Sequence, residues 1–154
     1  MSAIESYAQP DGLPAGEAAR FARLLNLRDA ASFTDVKLAR RVANGLPTTA
    51  LTAVAGMVAG AVAARLVPEA TVRRAREAGR PLSRSHSERL YDVARILDAV
   101  GRAYHGDKRL IEAFLNWPHP LLEGETPLDL ALSSSAGVGA VLNLIQRAEA
   151  GIAA

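Results

Sequence analysis

The 154-residue sequence contains no cysteine, only three histidines and few aromatic residues. The lack of cysteine excludes disulfide bonds and thiolate metal ligands, and it is typical of a protein in a reducing compartment. His86, His105 and His119 fall in three different predicted elements, and no HExxH motif occurs. Motifs of a catalytic serine, a phosphate-binding loop or a dinucleotide site are also missing. We therefore predict no catalytic residues, no metal site and no cofactor.

A strong excess of one charge is also missing, because 18 basic residues face 16 acidic ones. The charges are unevenly placed, since residues 1–80 carry a net +4 and residues 81–154 a net −2. Only Lys37 and Lys108 are lysines, so the other basic residues are arginines, which suit planar phosphate, carboxylate and base-edge contacts. The asymmetry indicates two surfaces with different partners.

No stretch of the sequence has the composition of a membrane span or of a secretion signal. The uncharged stretch over residues 46–64 is mostly Ala, Gly and Thr, which contribute little transfer free energy. We predict closely packed helices there, with Gly56 and Gly60 at a helix contact. The first residues lack the basic and apolar regions of a signal peptide. We therefore expect a cytoplasmic protein without membrane association.

Helical patterns extend over most of the sequence. Ala and Leu dominate the apolar residues, and no stretch alternates with the period of a strand. These features predict an all-α fold. Proline and glycine predict a flexible N-terminal arm over residues 1–15. Residues 16–81 are predicted to form a helix-turn-helix-like bundle, followed by a small helical domain over residues 82–154.

Capping residues predict where several helices begin. Thr34, Asp107 and Thr126 are predicted N-caps, and the sequence from Ser85 to Glu88 has the spacing of a capping box. The helix after Thr34 is predicted to bury Val36, Ala39, Val42 and Ala43. The long helix after the capping box has one apolar stripe: Leu90, Val93, Ala94, Leu97, Val100, Gly101 and Tyr104. Asp98 is predicted to lie on its solvated side.

An arginine-rich helix is predicted over residues 68–78, after a helix over residues 57–67. Val72 and Ala75 are predicted to face the preceding helix. The outward residues are then Thr71, Arg73, Arg74 and Arg76. This arrangement is typical of a helix-turn-helix DNA reader. The alternative is a solvated basic face with an ion pair between Arg73 and Glu77, and the sequence leaves both open.

The connector over residues 116–125 combines Trp117, Pro118, Pro120 and Gly124. One interpretation is a rigid corner that packs on the core. The other is an interaction site, because tryptophan is enriched among residues that dominate binding energy. Both remain open on physical grounds.

Three strings of residues resemble a known family. The first is Leu82-Ser83-x-x-x-Ser87-Glu88-Arg89-Leu90-x-x-x-Ala94-Arg95-Ile96-Leu97. The second is Phe114-Leu115-x-x-Pro118-x-Pro120-x-Leu122-x-Gly124-x-Thr126-Pro127-Leu128-Asp129-Leu130. The third is Gly137-x-x-x-Val141-x-x-Leu144-Ile145-x-Arg147-x-Glu149-x-Gly151-Ile152. Together they resemble the Xre/MbcA/ParS antitoxins, over residues 82–154 and, more weakly, over residues 38–81.

This resemblance implies the antitoxin of a type II toxin–antitoxin pair. The implied partner is a RES-domain toxin, which degrades NAD or transfers ADP-ribose. Residues 82–154 would be the toxin-binding domain and would cover the NAD cleft of the toxin. Residues 16–81 would form a homodimer and, in many members, bind the promoter DNA of the operon through Thr71, Arg73, Arg74 and Arg76. The implied toxin-binding residues are Trp117, Pro118, Gly124, Thr126, Pro127, Leu128, Arg147, Glu149, Gly151, Ile152, Ala153 and Ala154.

Two other functional classes remain open at this point. One is a helix-turn-helix transcription regulator without a toxin partner. The other is a structural helical adaptor, which would bind neither DNA nor a toxin.

Overall fold

The computed structural model describes residues 2–58 and 62–151, and these residues form helices without any strand. The α-helices of this part are α1 (Glu17–Leu24), α2 (Asp35–Asn44), α3 (Thr48–Met57), α4 (Val62–Leu66), α5 (Glu69–Ala78), α6 (Arg84–Ala103), α7 (Lys108–Asn116), α8 (Pro127–Ser133) and α9 (Ser135–Gly151). Short 3₁₀ helices lie at Glu5–Ala8, Pro10–Gly12, Ala30–Ser32 and Pro120–Leu122. The all-α prediction is confirmed.

Helix α6 is the central element. Its 20 residues span about 30 Å, and α1, α2, α3, α4, α8 and α9 all contact it. The predicted stripe from Leu90 to Gly101 is buried, and so are Ile96 and Ala99 outside that stripe. One hydrophobic cluster therefore includes side chains from both predicted regions, 16–81 and 82–154.

The N-terminal segment is anchored to the core and is not the flexible arm predicted for residues 1–15. Ile4 and Tyr7 are buried, because the 3₁₀ helix Glu5–Ala8 lies against α6. Two glycines make room for it. A Cβ atom at Gly101 would lie 2.9 Å from both side chains, and one at Gly106 would lie 2.6 Å from the Ile4 carbonyl oxygen. Proline and glycine correctly indicate the absence of a long helix here, but they do not reveal that two apolar side chains find a pocket.

Asp98 lies inside the molecule, which corrects its prediction as a solvated residue. It is 1% exposed and accepts hydrogen bonds from the Tyr7 hydroxyl at 2.7 Å, from Arg20 Nε at 2.8 Å and from Arg102 Nε at 3.2 Å. These donors replace the water that a buried carboxylate loses. Burial, reinforced by the charge of Asp98, raises the pKa of Tyr7 far above its ordinary value.

Of the four residues predicted to face inward on helix α2, only Val42 is buried. Leu38 and Val42 are buried, whereas Val36 is 59% exposed and Ala39 and Ala43 are exposed. The helix carries two adjacent apolar faces, and burying the one with Leu38 removes more apolar area from water. A stripe of Val36, Ala39 and Ala43, here called the α2 stripe, remains on the surface.

The predicted N-caps at Thr34, Asp107 and Thr126 are confirmed, because each side chain accepts backbone N–H bonds from the first turn. The capping box at Ser85–Glu88 is wrong, since Ser83 caps α6. Ser87 is instead buried, and its hydroxyl accepts the N–H of Leu46 at 2.8 Å. This bond holds the α2–α3 connection against α6.

The uncharged stretch contains α3 and the start of α4. No helix among residues 2–58 and 62–151 is both long and apolar enough to cross a membrane. The predicted helix over residues 57–67 is wrong at its start, because α3 ends at Met57, Val58 is extended and α4 begins at Val62. Gly60 lies outside the described residues.

Candidate functional site

The connector between α7 and α8, residues 116–125, is a fixed turn and is here called the Trp117 corner. The His119 N–H donates to the Glu125 carbonyl, and the Gly124 N–H donates to the His119 carbonyl, both at 3.0 Å. The Nδ1 atom of His119 accepts the N–H of Leu121 at 3.2 Å. Glu123 and Gly124 both have positive φ angles, which closes the turn. The corner is therefore held by its own backbone bonds.

The tryptophan of this corner does not pack in the core. Trp117 is 72% exposed and Leu121 is 64% exposed, whereas Leu122 is buried and anchors the turn. Pro118 and Gly124, the other predicted site residues of the corner, are exposed as well. The rigid-corner interpretation therefore describes the turn but not Trp117, and the interaction site stays a prediction.

The predicted site residues at the start of α8 have structural contacts. Thr126 Oγ1 accepts the N–H of Asp129 at 3.0 Å and caps the helix. Pro127 and Leu128 are buried. These three residues position α8, and only Thr126 retains partial exposure.

The predicted site residues of α9 lie near its end. Arg147 and Glu149 are exposed, and Gly151 is half-buried as the last residue of the helix. Ile152, Ala153 and Ala154 lie outside the described residues. The start of α9 is fixed against α8, because a Cβ atom at Gly137 would collide with the Leu130 carbonyl group.

The arginine-rich helix α5 has the orientation that its sequence predicts. Val72 and Ala75 are buried, and Thr71 is half-buried. Three exposed arginines follow one another on its outer side: Arg73, Arg74 and Arg76. Among the described residues none of the three forms an ion pair, so the alternative pair with Glu77 is not made, and Arg76 donates to Thr52 Oγ1 at 3.1 Å. A mostly apolar groove of about 420 Å³ separates α5 from α3 and α4.

Two arginines join the neighbourhood of α5 to α8. Arg65 of α4 pairs with Asp129 of α8 at 2.9 Å. Arg89 of α6 donates to the carbonyl of Leu132 at 2.9 Å and to that of Arg65 at 3.3 Å. The basic helix and the C-terminal helices therefore share one framework.

Two surface features were not identified from the sequence. The first is an acidic groove of about 430 Å³ between α1, α2 and α6, lined by Glu17, Phe21, Asp35, Glu88, Tyr91 and Asp92 among others. Burial raises the pKa of Tyr91, Arg95 lowers it, and the nearby carboxylates raise it further. Its residues come from separate parts of the sequence, so no local motif could have revealed it.

The second missed feature is the outer side of α7. Leu110 is 44% exposed and Phe114 is half-buried, so this side of α7 is not part of the core. The signal was present in the spacing, since Leu110, Phe114 and Trp117 recur at steps of four and three residues.

The end of α6, α7, the Trp117 corner, α8 and α9 match one known family. The match is to the antitoxin Xre/MbcA/ParS C-terminal toxin-binding domain and covers residues 100–151. Residues 100–151 are therefore similar to a toxin-binding antitoxin domain and are called the toxin-binding domain below. No curated protein matches the chain significantly. The predicted resemblance is confirmed over these residues, while the similarity over residues 38–81 and 82–99 stays a prediction.

The toxin-binding domain contains every predicted toxin-binding residue from Trp117 to Gly151, whereas α5 lies outside it. A domain of this kind implies a toxin partner and indicates a regulatory role. Within residues 2–58 and 62–151 no three His, Asp or Glu side chains are grouped so that they could hold a metal ion.

Proposed function

We propose that this chain is the antitoxin of a type II pair and neutralises a RES-domain toxin that uses NAD. The match of residues 100–151 to a toxin-binding domain carries this proposal. The RES identity of the partner follows from the resemblance of the strings that end at Leu97, Leu130 and Ile152. The chain acts by binding in the cytoplasm and needs neither a cofactor nor catalytic residues of its own.

In this proposal the end of α9 covers the NAD cleft of the toxin. Arg147 and Glu149 are exposed there and are not paired with any described residue. Charged side chains on an exposed helix end can pair with the charged groups that an NAD-binding cleft uses for phosphate and ribose. The proposed contact also includes Gly151, Ile152, Ala153 and Ala154.

We propose a second role in binding promoter DNA through α5. The supporting observation is that Arg73, Arg74 and Arg76 are exposed without ion pairs among the described residues, beside the half-buried Thr71. Guanidinium groups bind phosphates and guanine edges. A stand-alone transcription regulator without a toxin is the alternative function, and it would use the same helix.

We also propose that the chain forms a homodimer through the α2 stripe. Val36, Ala39 and Ala43 are exposed, and small side chains allow two helices to approach closely. A twofold pair of α2 helices would bury this stripe on both copies.

Co-expression with the RES-domain toxin of the neighbouring reading frame tests the central proposal. The toxin alone should arrest growth and lower cellular NAD, and the full chain should restore both and co-purify with the toxin. A folded chain that neither binds nor silences the toxin would contradict the proposal. Specific promoter binding by such a chain would then favour the stand-alone regulator, and the absence of both activities would favour a structural adaptor.

A further inference from the structure

Helix α7 has an apolar face that does not contribute to the core. Ile111 and Leu115 are 1% exposed and hold the helix against the rest of the chain. The adjacent side of α7 carries Leu110, Ala113 and Phe114 at the spacing of one helix surface. Trp117 is the first residue after the helix and has an extended backbone. These four residues are here called the α7 face, and Leu110 and Trp117 are 44% and 72% exposed.

Exposed large apolar side chains are concentrated in this region. Among the described residues, the four strongly exposed ones are Val36, Leu110, Trp117 and Leu121. Three of them fall within twelve consecutive residues of the toxin-binding domain. Single exposed apolar residues need no explanation, but a contiguous group of them marks an interaction site.

The α7 face is held in place before any partner arrives. Asp107 caps the start of α7, and the Phe114 and Tyr104 rings lie 5.9 Å apart. At the other end, the backbone bonds of the Trp117 corner fix the turn that carries Leu121. A preformed surface loses little conformational entropy on binding. A larger share of the free energy gained by burying its apolar area therefore contributes to affinity.

We propose that the α7 face, together with Leu121, is the main source of affinity for the toxin and binds an apolar cleft on it. This inference rests on the proposed function and assigns the toxin as occupant because α7 lies wholly inside the toxin-binding domain. The exposed end of α9 offers Arg147, Ala148, Glu149 and Ala150, which are charged or small. Rim charges orient a complex more than they strengthen it, whereas a buried tryptophan is a typical binding hot spot. We therefore assign affinity for the toxin to α7 and blocking of the NAD cleft to the end of α9.

Two substitutions in the full chain test this assignment. Leu110→Asp places a charge at the beginning of the face, in the first turn of α7, where an acidic residue favours the helix. Trp117→Ala removes the largest exposed apolar side chain. Each is expected to weaken binding of the purified toxin by at least about 30-fold, the loss typical of a hot-spot residue, with an unchanged melting temperature. The control is Ser85→Asp, which adds the same single charge at an exposed position in the first turn of α6, outside residues 100–151, and should leave affinity within about threefold.

The outcomes separate this inference from the proposed function. If the unaltered chain binds the toxin and both variants bind equally well, the α7 face is not the binding surface and the proposed function stands. If the unaltered chain binds no toxin, the proposed function and this inference both fail. If the unaltered chain self-associates and Leu110→Asp releases monomers without weakening the toxin complex, the occupant of the face is a second copy, which also overturns the inference.

Discussion

Asp98 determines how the N-terminal residues join the rest of the protein. Its carboxylate accepts from Tyr7, which is 91 residues away along the chain, and from Arg20, which is 78 residues away. Arg20 also donates to the carbonyls of Pro14 and Ala15. The buried carboxylate of Asp98 therefore fixes the first 3₁₀ helix and α1 relative to α6.

The Tyr7 hydroxyl makes the free energy of unfolding depend on pH in the alkaline range. The folded state keeps its proton because burial and Asp98 raise its pKa, whereas an unfolded tyrosine loses the proton near pH 10. The stabilisation is thus fully present below about pH 10 and is lost as pH rises further. The free energy of unfolding should fall by up to about 1.4 kcal/mol per pH unit on account of this group.

Tyr7→Phe should remove that part of the pH dependence. At pH 8 the variant should lose about 1.5–3 kcal/mol, the value of a hydrogen bond to a charged group. Urea unfolding followed by circular dichroism at pH 8, 10 and 11 measures both effects, and Tyr91→Phe serves as the control for a less buried tyrosine. If the free energy of unfolding changes with pH in the same way in the unaltered chain and in Tyr7→Phe, Tyr7 does not remain protonated in the folded state.

At the scale of elements, α5 and α9 each expose a charged surface that contributes little to the fold. The α5 helix is held by Val72 and Ala75, and α9 by Val138, Val141 and Ile145 on its inner side. Changes to their outer residues should therefore alter binding without unfolding the chain.

Replacing Arg73, Arg74 and Arg76 by alanine should weaken promoter binding and leave toxin neutralisation intact. Each lost phosphate contact should reduce the slope of log affinity against log salt by about 0.9, and each lost bidentate guanine contact should cost about 1–3 kcal/mol. Fluorescence anisotropy at several salt concentrations measures both. Arg109→Ala, an exposed arginine on α7, is the control, and equal affinity of the unaltered chain for promoter and random duplexes would contradict a specific DNA role.

Deleting residues 147–154 should separate binding of the toxin from inhibition. The described side chains from Arg147 to Ala150 are exposed, so their removal should cost at most about 1 kcal/mol, or about 2–4 °C in melting temperature. We expect the truncated chain to co-purify with the toxin through the α7 face while NAD turnover returns. NAD consumption in the presence of excess antitoxin is the measurement, and Asn143→Ala is the control on the same helix. Full inhibition by the truncated chain would indicate that the Trp117 corner, and not the end of α9, covers the NAD cleft.

At the scale of the whole molecule, the basic helix and the toxin-binding domain are not independent. Ion pairing of Arg65 with Asp129 and the two carbonyl bonds of Arg89 join α4 to α8, and α6 is buried by helices of both regions. A fragment that begins near residue 82 would expose the side of α6 that α1, α2 and α3 cover. Experiments on toxin binding are therefore best made with the full chain.

The proposed homodimer should depend on the α2 stripe. Val36→Glu replaces the largest apolar side chain of the proposed contact by a charge, and twofold symmetry repeats the change on the second copy. We expect a monomer in sedimentation equilibrium with unchanged helical content. Ala31→Glu, an exposed position outside α2, is the control. A Val36→Glu variant that remains dimeric would show that another surface holds the two copies.

Much of this protein is determined by its local sequence. Helical composition, the caps at Thr34, Asp107 and Thr126, and the outward arginines of α5 depend on neighbours within one or two turns. The family resemblance was likewise predictable, because the string from Phe114 to Leu130 combines a capped helix and a closed turn whose residue types are set locally. These features could be predicted without any knowledge of the tertiary fold.

The tertiary structure decided what each helix buries and which residues remain on the surface. Asp98 is buried because Tyr7 and Arg20 reach it, and Ser87 is buried because Leu46 donates to its hydroxyl from 41 residues away. Helices α2 and α7 each offer two apolar faces, and only the positions of neighbouring helices select Leu38 over Val36 and Ile111 over Leu110. Periodicity reports that a face is apolar, but burial depends on contacts that are distant in sequence. The exposed α2 stripe and α7 face, on which the proposed dimer and toxin contacts depend, are therefore visible only in the folded chain.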